Sequence, residues 1–239
     1  MQFVHDAQQA LFYGPIALIA SFLSGSIPFS LLVGLARGTD IRKVGSGNIG
    51  ATNLGRALGS KYFFVGFGLD MLKGLLPVLL TAAAFGTLGS WSPPLWATSW
   101  LLGCIVACVL GHIYSPWIGL KGGKGVATTF GAVLGLFPLY TWTALVGLVV
   151  FLIALAIWRY ISASSILAGI AMSFATVVLS LRGGGWRPET LTQPSALLLM
   201  GVMTAIAALV IYKHRTNISR LRAGTEPKVG QRVKVAQAR

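Results

Sequence analysis

The chain has 239 residues, 55% of them hydrophobic and only 10% charged, with a formal net charge of +14. A soluble domain carries about 25% charged residues, so this composition excludes an ordinary water-surrounded globule and points to a chain that lies mostly in lipid. The apolar residues come in long blocks of the kind a membrane-crossing helix of about 20 residues requires. The basic residues are scattered between those blocks, which argues against nucleic acid and leaves anionic lipid or anionic substrates as partners.

In chain order, seven apolar segments are read: Leu11–Ala36, Tyr62–Phe85, Leu95–Leu110, Val126–Phe137, Leu139–Ile157, Ile166–Leu181 and Ser195–Tyr212. The expected fold is an all-α polytopic membrane protein of seven transmembrane helices. The fourth segment is short, about a dozen residues, and Pro138 separates it from the fifth; a helical hairpin is the economical reading and a re-entrant half-helix the alternative. Residues 1–226 form one membrane-embedded domain and 227–239 a basic cytoplasmic tail. The N-terminus lacks the basic region of a cleaved signal peptide. Cys104 and Cys108, four apart inside an apolar block, read as small packing residues, and no Cys/His cluster of metal-ligand spacing exists. No cofactor is expected.

With seven crossings, the loops 37–61, 111–125 and 158–165 and the C-terminal tail share one membrane side, which then holds all of the 19 Lys and Arg residues except Arg182, Arg187 and Lys73. The positive-inside rule places that side in the cytoplasm and the N-terminus outside. Such asymmetry orients most membrane proteins and by itself says nothing of chemistry; the rest of those loops does. The first contains Val44-Gly-Ser-Gly-Asn-Ile-Gly-Ala-Thr-Asn-Leu-Gly-Arg56. Its glycines let backbone N–H groups converge on an anion, Ser46, Asn48, Thr52 and Asn53 add neutral donors, and Arg56 adds a planar fork for phosphate oxygens; the alternative is a solvated flexible loop. The second contains Gly122-Gly-Lys-Gly125 at a helix start, where free N–H groups, the helix dipole and Lys124 make a phosphate cradle. It is not a nucleotide P-loop, because Ile118 stands where the first Gly belongs and Gly125 replaces the Ser/Thr. His112, Tyr114 and Trp117 are read as anchors of the helix end at the membrane interface. The third, Arg159 to Ser165, carries three serines that are either helix caps or site donors. In the fourth, His214 and Asn217 share a face if the helix continues; the tail beyond Pro227 reads as a lipid-headgroup binder. Asp70 and Lys73, spaced i, i+3 within the second segment, suit a structural ion pair, with a proton relay as the alternative.

Taken together, Ser46-Gly-Asn-Ile-Gly-Ala-Thr-Asn53, Gly111-His through Gly122-Gly-Lys-Gly-Val-Ala-Thr128, Arg159-Tyr-x-Ser162 and His214-x-x-Asn217-Ile-x-Arg-Leu221 resemble the bacterial acyl-phosphate-dependent glycerol-3-phosphate acyltransferase family, as does Gly25-Ser-Ile-Pro-Phe29. The resemblance runs from about Ser24 to Glu226; each motif is moderately specific, and all of them in order are highly so. It implies an active site on the cytoplasmic face of a bacterial inner membrane, and transfer of an acyl group from acyl phosphate to glycerol 3-phosphate, giving 1-acyl-glycerol 3-phosphate (lysophosphatidic acid) and phosphate. By motif position it implies Ser46, Arg56, Lys124, Ser162, His214 and Asn217 as catalytic residues, with Asn48, Gly50, Thr52, Asn53, Gly122, Gly123 and Gly125 shaping the substrate site; Ser164 and Ser165 compete with Ser162. The His-x-x-x-x-Asp pair of many other glycerolipid acyltransferases is absent, and so is a Ser-His-Asp triad. Cytoplasmic carboxylates are limited to Asp40 and Glu226, and a site for two phosphates is expected to exclude them. The proton of the attacking hydroxyl is expected to go to a substrate phosphate oxygen, with His214 as the alternative acceptor. A transporter of a phosphorylated solute is the rival class, disfavoured because the donors gather on one membrane side and no internal repeat is seen.

Overall fold

The computed structural model describes residues 4, 6–91, 93–138, 140–181 and 193–231. Among these are ten α-helices: α1 (Ala7–Ser26), α2 (Phe29–Ala36), α3 (Ala51–Leu58), α4 (Ser60–Ala84), α5 (Leu95–Ile113), α6 (Val126–Leu134), α7 (Thr141–Trp158), α8 (Ile161–Leu181), α9 (Gln193–Lys213) and α10 (Arg215–Arg222). Six stretches are long and apolar enough to cross a membrane: Ala7–Ala36 (α1 with α2), Ser60–Ala84, Leu95–Ile118, Thr141–Trp158, Ile161–Ser180 and Pro194–Lys213. The molecule is an all-α integral membrane protein. The expected seventh span is reduced to α6, nine residues, about 14 Å of helix against a hydrocarbon layer about 30 Å thick. The loop bearing Arg182 and Arg187 lies outside the described residues.

The boundaries have local causes. Asp6 starts α1 by accepting the Gln9 N–H at 2.8 Å. Pro28, without an N–H, breaks the first span into α1 and α2. At the break the Ile27 carbonyl accepts from Lys73 Nζ at 2.7 Å as well as from the Phe29 N–H at 3.0 Å, and Lys73 pairs with Asp70 at 2.8 Å while Ser30 Oγ donates to Asp70 Oδ2 at 2.9 Å. Asp70 and Lys73 thus form a buried, hydrogen-bonded ion pair that braces the break. The serine stretch 162–165, read as part of a loop, lies inside α8. Ser164 Oγ and Ser165 Oγ donate to the carbonyls of Tyr160 and Ile161, each at 2.8 Å, so these hydroxyls are satisfied within the helix.

Packing relies on missing side chains. A β-carbon at Gly74 of α4 would stand 2.2 Å from Thr128 O of α6, and one at Gly131 of α6 would stand 2.0 Å from Met71 O of α4. Gly25 and Gly111 bring α1 and α5 together in the same way. The main core, with Val78, Leu101, Ile105, Val133, Tyr140 and Leu199, joins α4, α5, α6 and α9. Cys104 and Cys108 are buried free thiols beside it. Large apolar side chains that are exposed, such as Phe12, Ile16 and Ile19 on α1, Phe64 and Leu80 on α4, Leu152 and Ile153 on α7 and Phe174 on α8, form the lipid-facing surface.

The bundle has two distinguishable ends. At one end Val4 N–H donates to Ala84 O at 3.1 Å and Gly89 N–H donates to Phe137 O at 3.2 Å, so the N-terminal segment, the end of α4 and the end of α6 lie together. At the other, Arg56 donates to Pro227 O at 3.3 Å and Val229 N–H to Arg159 O at 2.8 Å. Between them, Thr128 Oγ1 donates to Asp70 O at 3.0 Å, ten residues into α4. The 119–125 loop therefore descends part-way along α4 before α6 continues to the far end.

Candidate active site

A single cavity at the second end is lined by residues of all four loops identified from the sequence, among them Ser46, Asn48, Gly50, Thr52, Asn53, Arg56, Lys124, Gly125, Ser162, His214 and Asn217. Its frame is a convergence of helix starts. α3 begins after Gly50, α6 after Gly125 and α10 after His214; none of these ends has a side-chain cap, and all three N-cap residues line the cavity. Each leaves N–H groups without intrahelical partners and contributes a positive dipole end. Gly125 has φ 84°, a left-handed conformation open to glycine at little cost, and this turns the chain into α6.

Not every motif residue faces the cavity with free groups. Gly122 N–H donates to Ile113 O at 3.0 Å and Gly123 N–H to His112 O at 3.1 Å. Their amides thus satisfy the end of α5, and neither residue is among those lining the cavity; a β-carbon at Gly122 would fall 2.0 Å from His112 O. Two glycines are needed here because the loop lies flat on the helix end. Val126 and Ala127, at the start of α6, do line the cavity, where the first N–H groups of a helix have no intrahelical partner. Asn53 donates to Ile41 O at 2.7 Å and Val44 O at 3.1 Å and accepts from Ser46 N–H at 3.0 Å. Its amide pins the first loop, and Asn48 Oδ1 closes the turn onto Gly50 N–H at 2.9 Å. Of the three serines, Ser162 and Ser165 line the cavity, whereas Ser164 does not.

The expectation of a carboxylate-free site is overturned by Glu226. Its side chain lines the cavity and accepts from Ser162 Oγ at 2.8 Å, Asn217 Nδ2 at 2.7 Å and Arg220 Nε at 2.7 Å, with Arg56 at 3.9 Å. Repulsion of phosphate is avoided because the carboxylate is saturated with donors and neutralised by Arg220. Burial alone would push its pKa up, but the bonds from Asn217, Arg220 and Ser162 outweigh burial and hold it below the usual range. Asp40 takes no part, being paired with Arg42 at 2.8 Å on the surface. The signal for Glu226 was available, since it is the lone carboxylate in a strongly basic tail. The tail beyond it also packs back: Pro227 and Val229 bond to Arg56 and Arg159, and Lys228 lies over the Tyr160 ring. Residues 232–239 lie outside the described residues.

Lys124 donates to Asn217 Oδ1. Burial lowers the Lys124 pKa to about 8; Glu226 opposes this and Arg220 and Arg56 add to it. His214 is buried, and its Nδ1 lies 2.8 Å from Val210 O. A carbonyl only accepts, so Nδ1 carries the proton, and in the neutral ring Nε2 is a lone pair. Burial first and Lys124 second lower this histidine to about 4, against the opposing effects of the Val210 bond and Glu226. It is neutral at physiological pH. His112, read as an interface anchor, is instead 5% exposed and lines the same cavity, while Tyr114 and Trp117 at 41% and 63% do sit outside. His112 lies on the buried face of the last turn of α5, whereas Tyr114 and Trp117 follow the end of the helix.

The geometry agrees with three comparisons. A family model described as "Glycerol-3-phosphate acyltransferase" matches residues 15–224. A glycerol-3-phosphate acyltransferase of Geotalea daltonii is 40% identical over 211 residues, covering 88% of this chain and 95% of the relative. One from Thermus thermophilus is 43% identical over 218 residues, covering 90% and 95%. A crystal structure of PlsY (YgiH), an integral membrane glycerol 3-phosphate acyltransferase in its glycerol 3-phosphate form, is 38% identical, with TM-score 0.73 and coverage of 91% of this chain and 96% of that one. The lysophosphatidic acid form of the same protein gives TM-score 0.71. The chain belongs to the glycerol-3-phosphate acyltransferase family and is an integral membrane enzyme of the PlsY type.

Proposed function

We propose that this enzyme transfers a fatty acyl group from acyl phosphate to carbon 1 of glycerol 3-phosphate, at the cytoplasmic face of a bacterial inner membrane. The observation that carries the donor assignment is the convergence of three uncapped helix starts with Arg56 and Lys124 on one cavity. Two cations remain for substrate phosphates, since Arg220 already answers Glu226. The glycerol hydroxyl attacks the acyl carbon, the bond from that carbon to the phosphate oxygen breaks, and phosphate departs. Arg56, Lys124 and the α6 amides stabilise its charge. The proton passes to a phosphate oxygen of a substrate. A ring with pKa about 4 is a weak base, so His214 Nε2 serves to orient the hydroxyl rather than to keep its proton. Ser46, with Asn48, Gly50 and Thr52 beside it, contacts a substrate phosphate. Asn217 and Ser162 act by holding Lys124 and Glu226 in place. Phe63, Phe67 and Phe151, which also line the cavity, offer the acyl chain an apolar path towards lipid.

The same reading gives seven passes, six by full helices and one by the descending 119–125 loop with α6. It is supported by the position of Val4 at the end of the bundle opposite the cavity and by the basic residues of the cavity-end loops, which by the positive-inside rule favour a cytoplasmic cavity. The test of the reaction uses purified protein in lipid or detergent, glycerol 3-phosphate, and either acyl phosphate or acyl-CoA, following phosphate release and lysophosphatidic acid together. Equal amounts of both products from acyl phosphate, lost in Lys124→Ala, support the assignment. Product from acyl-CoA alone would overturn it.

A further inference from the structure

The segment that follows α10 lies past the residues of the family match, 15–224, yet it packs against the cavity end of the bundle. Gly224, at φ 68°, turns the chain back, and the Thr225 and Glu226 N–H groups both donate to Arg220 O, at 2.8 and 3.2 Å. The Glu226 side chain lines the cavity, and Pro227 carries the chain on to the turn between α7 and α8. There Arg159 engages both backbone groups of Val229: its carbonyl accepts the Val229 N–H at 2.8 Å, and its Nη2 donates to Val229 O at 3.2 Å. Arg159 stands at φ 61°, a left-handed conformation that a residue with a β-carbon adopts only at a cost. Lys228 lies over the Tyr160 ring at 5.6 Å. Pro227 to Val229 are thus a strap pinned to the start of α8.

The strap also meets Arg56 of α3. Arg56 Nη2 donates to Pro227 O at 3.3 Å and stays 3.9 Å from Glu226 Oε1, too far for a hydrogen bond. Among the described residues the guanidinium has no other acceptor, so the rest of its fork is free for a ligand. Glu226 is an anion in the same cavity wall, and a guanidinium that closed on it would pair there and be lost to substrate. The Pro227 carbonyl, one residue on, takes the nearest N–H and is itself held through Val229 by Arg159. We infer that the Pro227–Val229 strap is a positioning element for the reaction: it holds Arg56 off Glu226 and leaves the guanidinium for a substrate phosphate. The inference rests on the role given to Arg56 in the reaction proposed above.

The test measures kcat/KM for glycerol 3-phosphate, with acyl phosphate as donor, in two strap variants. Val229→Pro removes the N–H bonded to Arg159 O, and Arg159→Ala removes the donor to Val229 O. Each lowers kcat/KM by about 3- to 10-fold, the worth of a hydrogen bond that orients a charged group. A chain ending at Gln231, which keeps the strap and drops the basic residues beyond it, stays near wild type. In Glu226→Gln, with no charge to capture Arg56, the same strap changes cost less than about 2-fold. If that variant does not fold, Arg56→Lys serves, because an ammonium has no fork to orient, and the strap changes again add less than about 2-fold. A purely structural strap would lower kcat/KM by the same factor in every background, which would overturn the inference. So would strap variants as active as wild type, or a loss as large in the chain ending at Gln231. Wild-type kcat/KM in Arg56→Ala, or failure of the wild type to acylate glycerol 3-phosphate at all, would instead overturn the reading on which it rests.

Discussion

At the residue scale, Lys124 is the side chain with most at stake. Its pKa of about 8 means that it is charged below that pH and loses its charge above it. The alkaline limb of kcat/KM is therefore expected near pH 8, and that of kcat higher, because bound phosphate favours the charged ammonium. Lys124→Arg, which stays protonated throughout, removes this limb even where it lowers the rate; Lys124→Ala lowers kcat by about 100-fold or more. His214 titrates near 4, below the working range. Its replacement by alanine lowers activity and leaves the shape of the pH profile between 5 and 8 as in wild type. An acid limb near 6 that vanishes in His214→Ala would make it the titrating base.

Elements meet at two places where one change should be felt widely. Glu226 ties the chain after α10 to Ser162 of α8, to Asn217 and Arg220 of α10 and, more distantly, to Arg56 of α3. Glu226→Ala leaves Arg220 and two polar side chains without their shared acceptor. The thermal midpoint in detergent should fall by about 5 °C or more, along with activity; Glu226→Gln, which keeps an acceptor oxygen but no charge, should fall between. The second place is the contact of α4 with α6, where Gly131 leaves no room for a β-carbon against Met71 O. Gly131→Val should separate the two helices, displace the α6 start from the cavity and abolish activity, whereas an exposed lipid-facing change such as Leu80→Val should leave both stability and rate near wild type. Equal tolerance of the two would show that the close contact does not position α6.

For the whole molecule, the two ends of the bundle make opposite claims about accessibility. Cys104 and Cys108 are buried, so an added thiol is the one that reports. Leu88→Cys, at the end that holds Val4 and Gly89, should react with a membrane-impermeant maleimide in intact cells. Arg42→Cys, at the cavity end, should react only after permeabilisation. Labelling of both from outside would overturn the topology.

How much of this was legible beforehand depends on the range of the cause. Long apolar blocks are a local property, and they located the six long helical stretches, with α5 read as ending at Leu110 rather than Ile113 and α8 as starting at Ile166 rather than Ile161, as well as the four loops that line the cavity. The start of α8 was misplaced because serines read as loop-formers until their bonds to carbonyls four residues back are seen. The sequence alone determined that the chain lives in lipid, that its basic residues gather between the apolar blocks, and which family its motifs resemble, because hydropathy, charge order and motif spacing are written along the chain. Only the tertiary structure decided that the amides of Gly122 and Gly123 bond to the end of α5, that Asn53 holds a loop, that His112 turns inward, and that Glu226 sits among the donors it was expected to avoid. Each of those depends on a partner 7 to 64 residues away, and hydrogen bonds across such distances are fixed by how the helices pack, not by the composition of either segment.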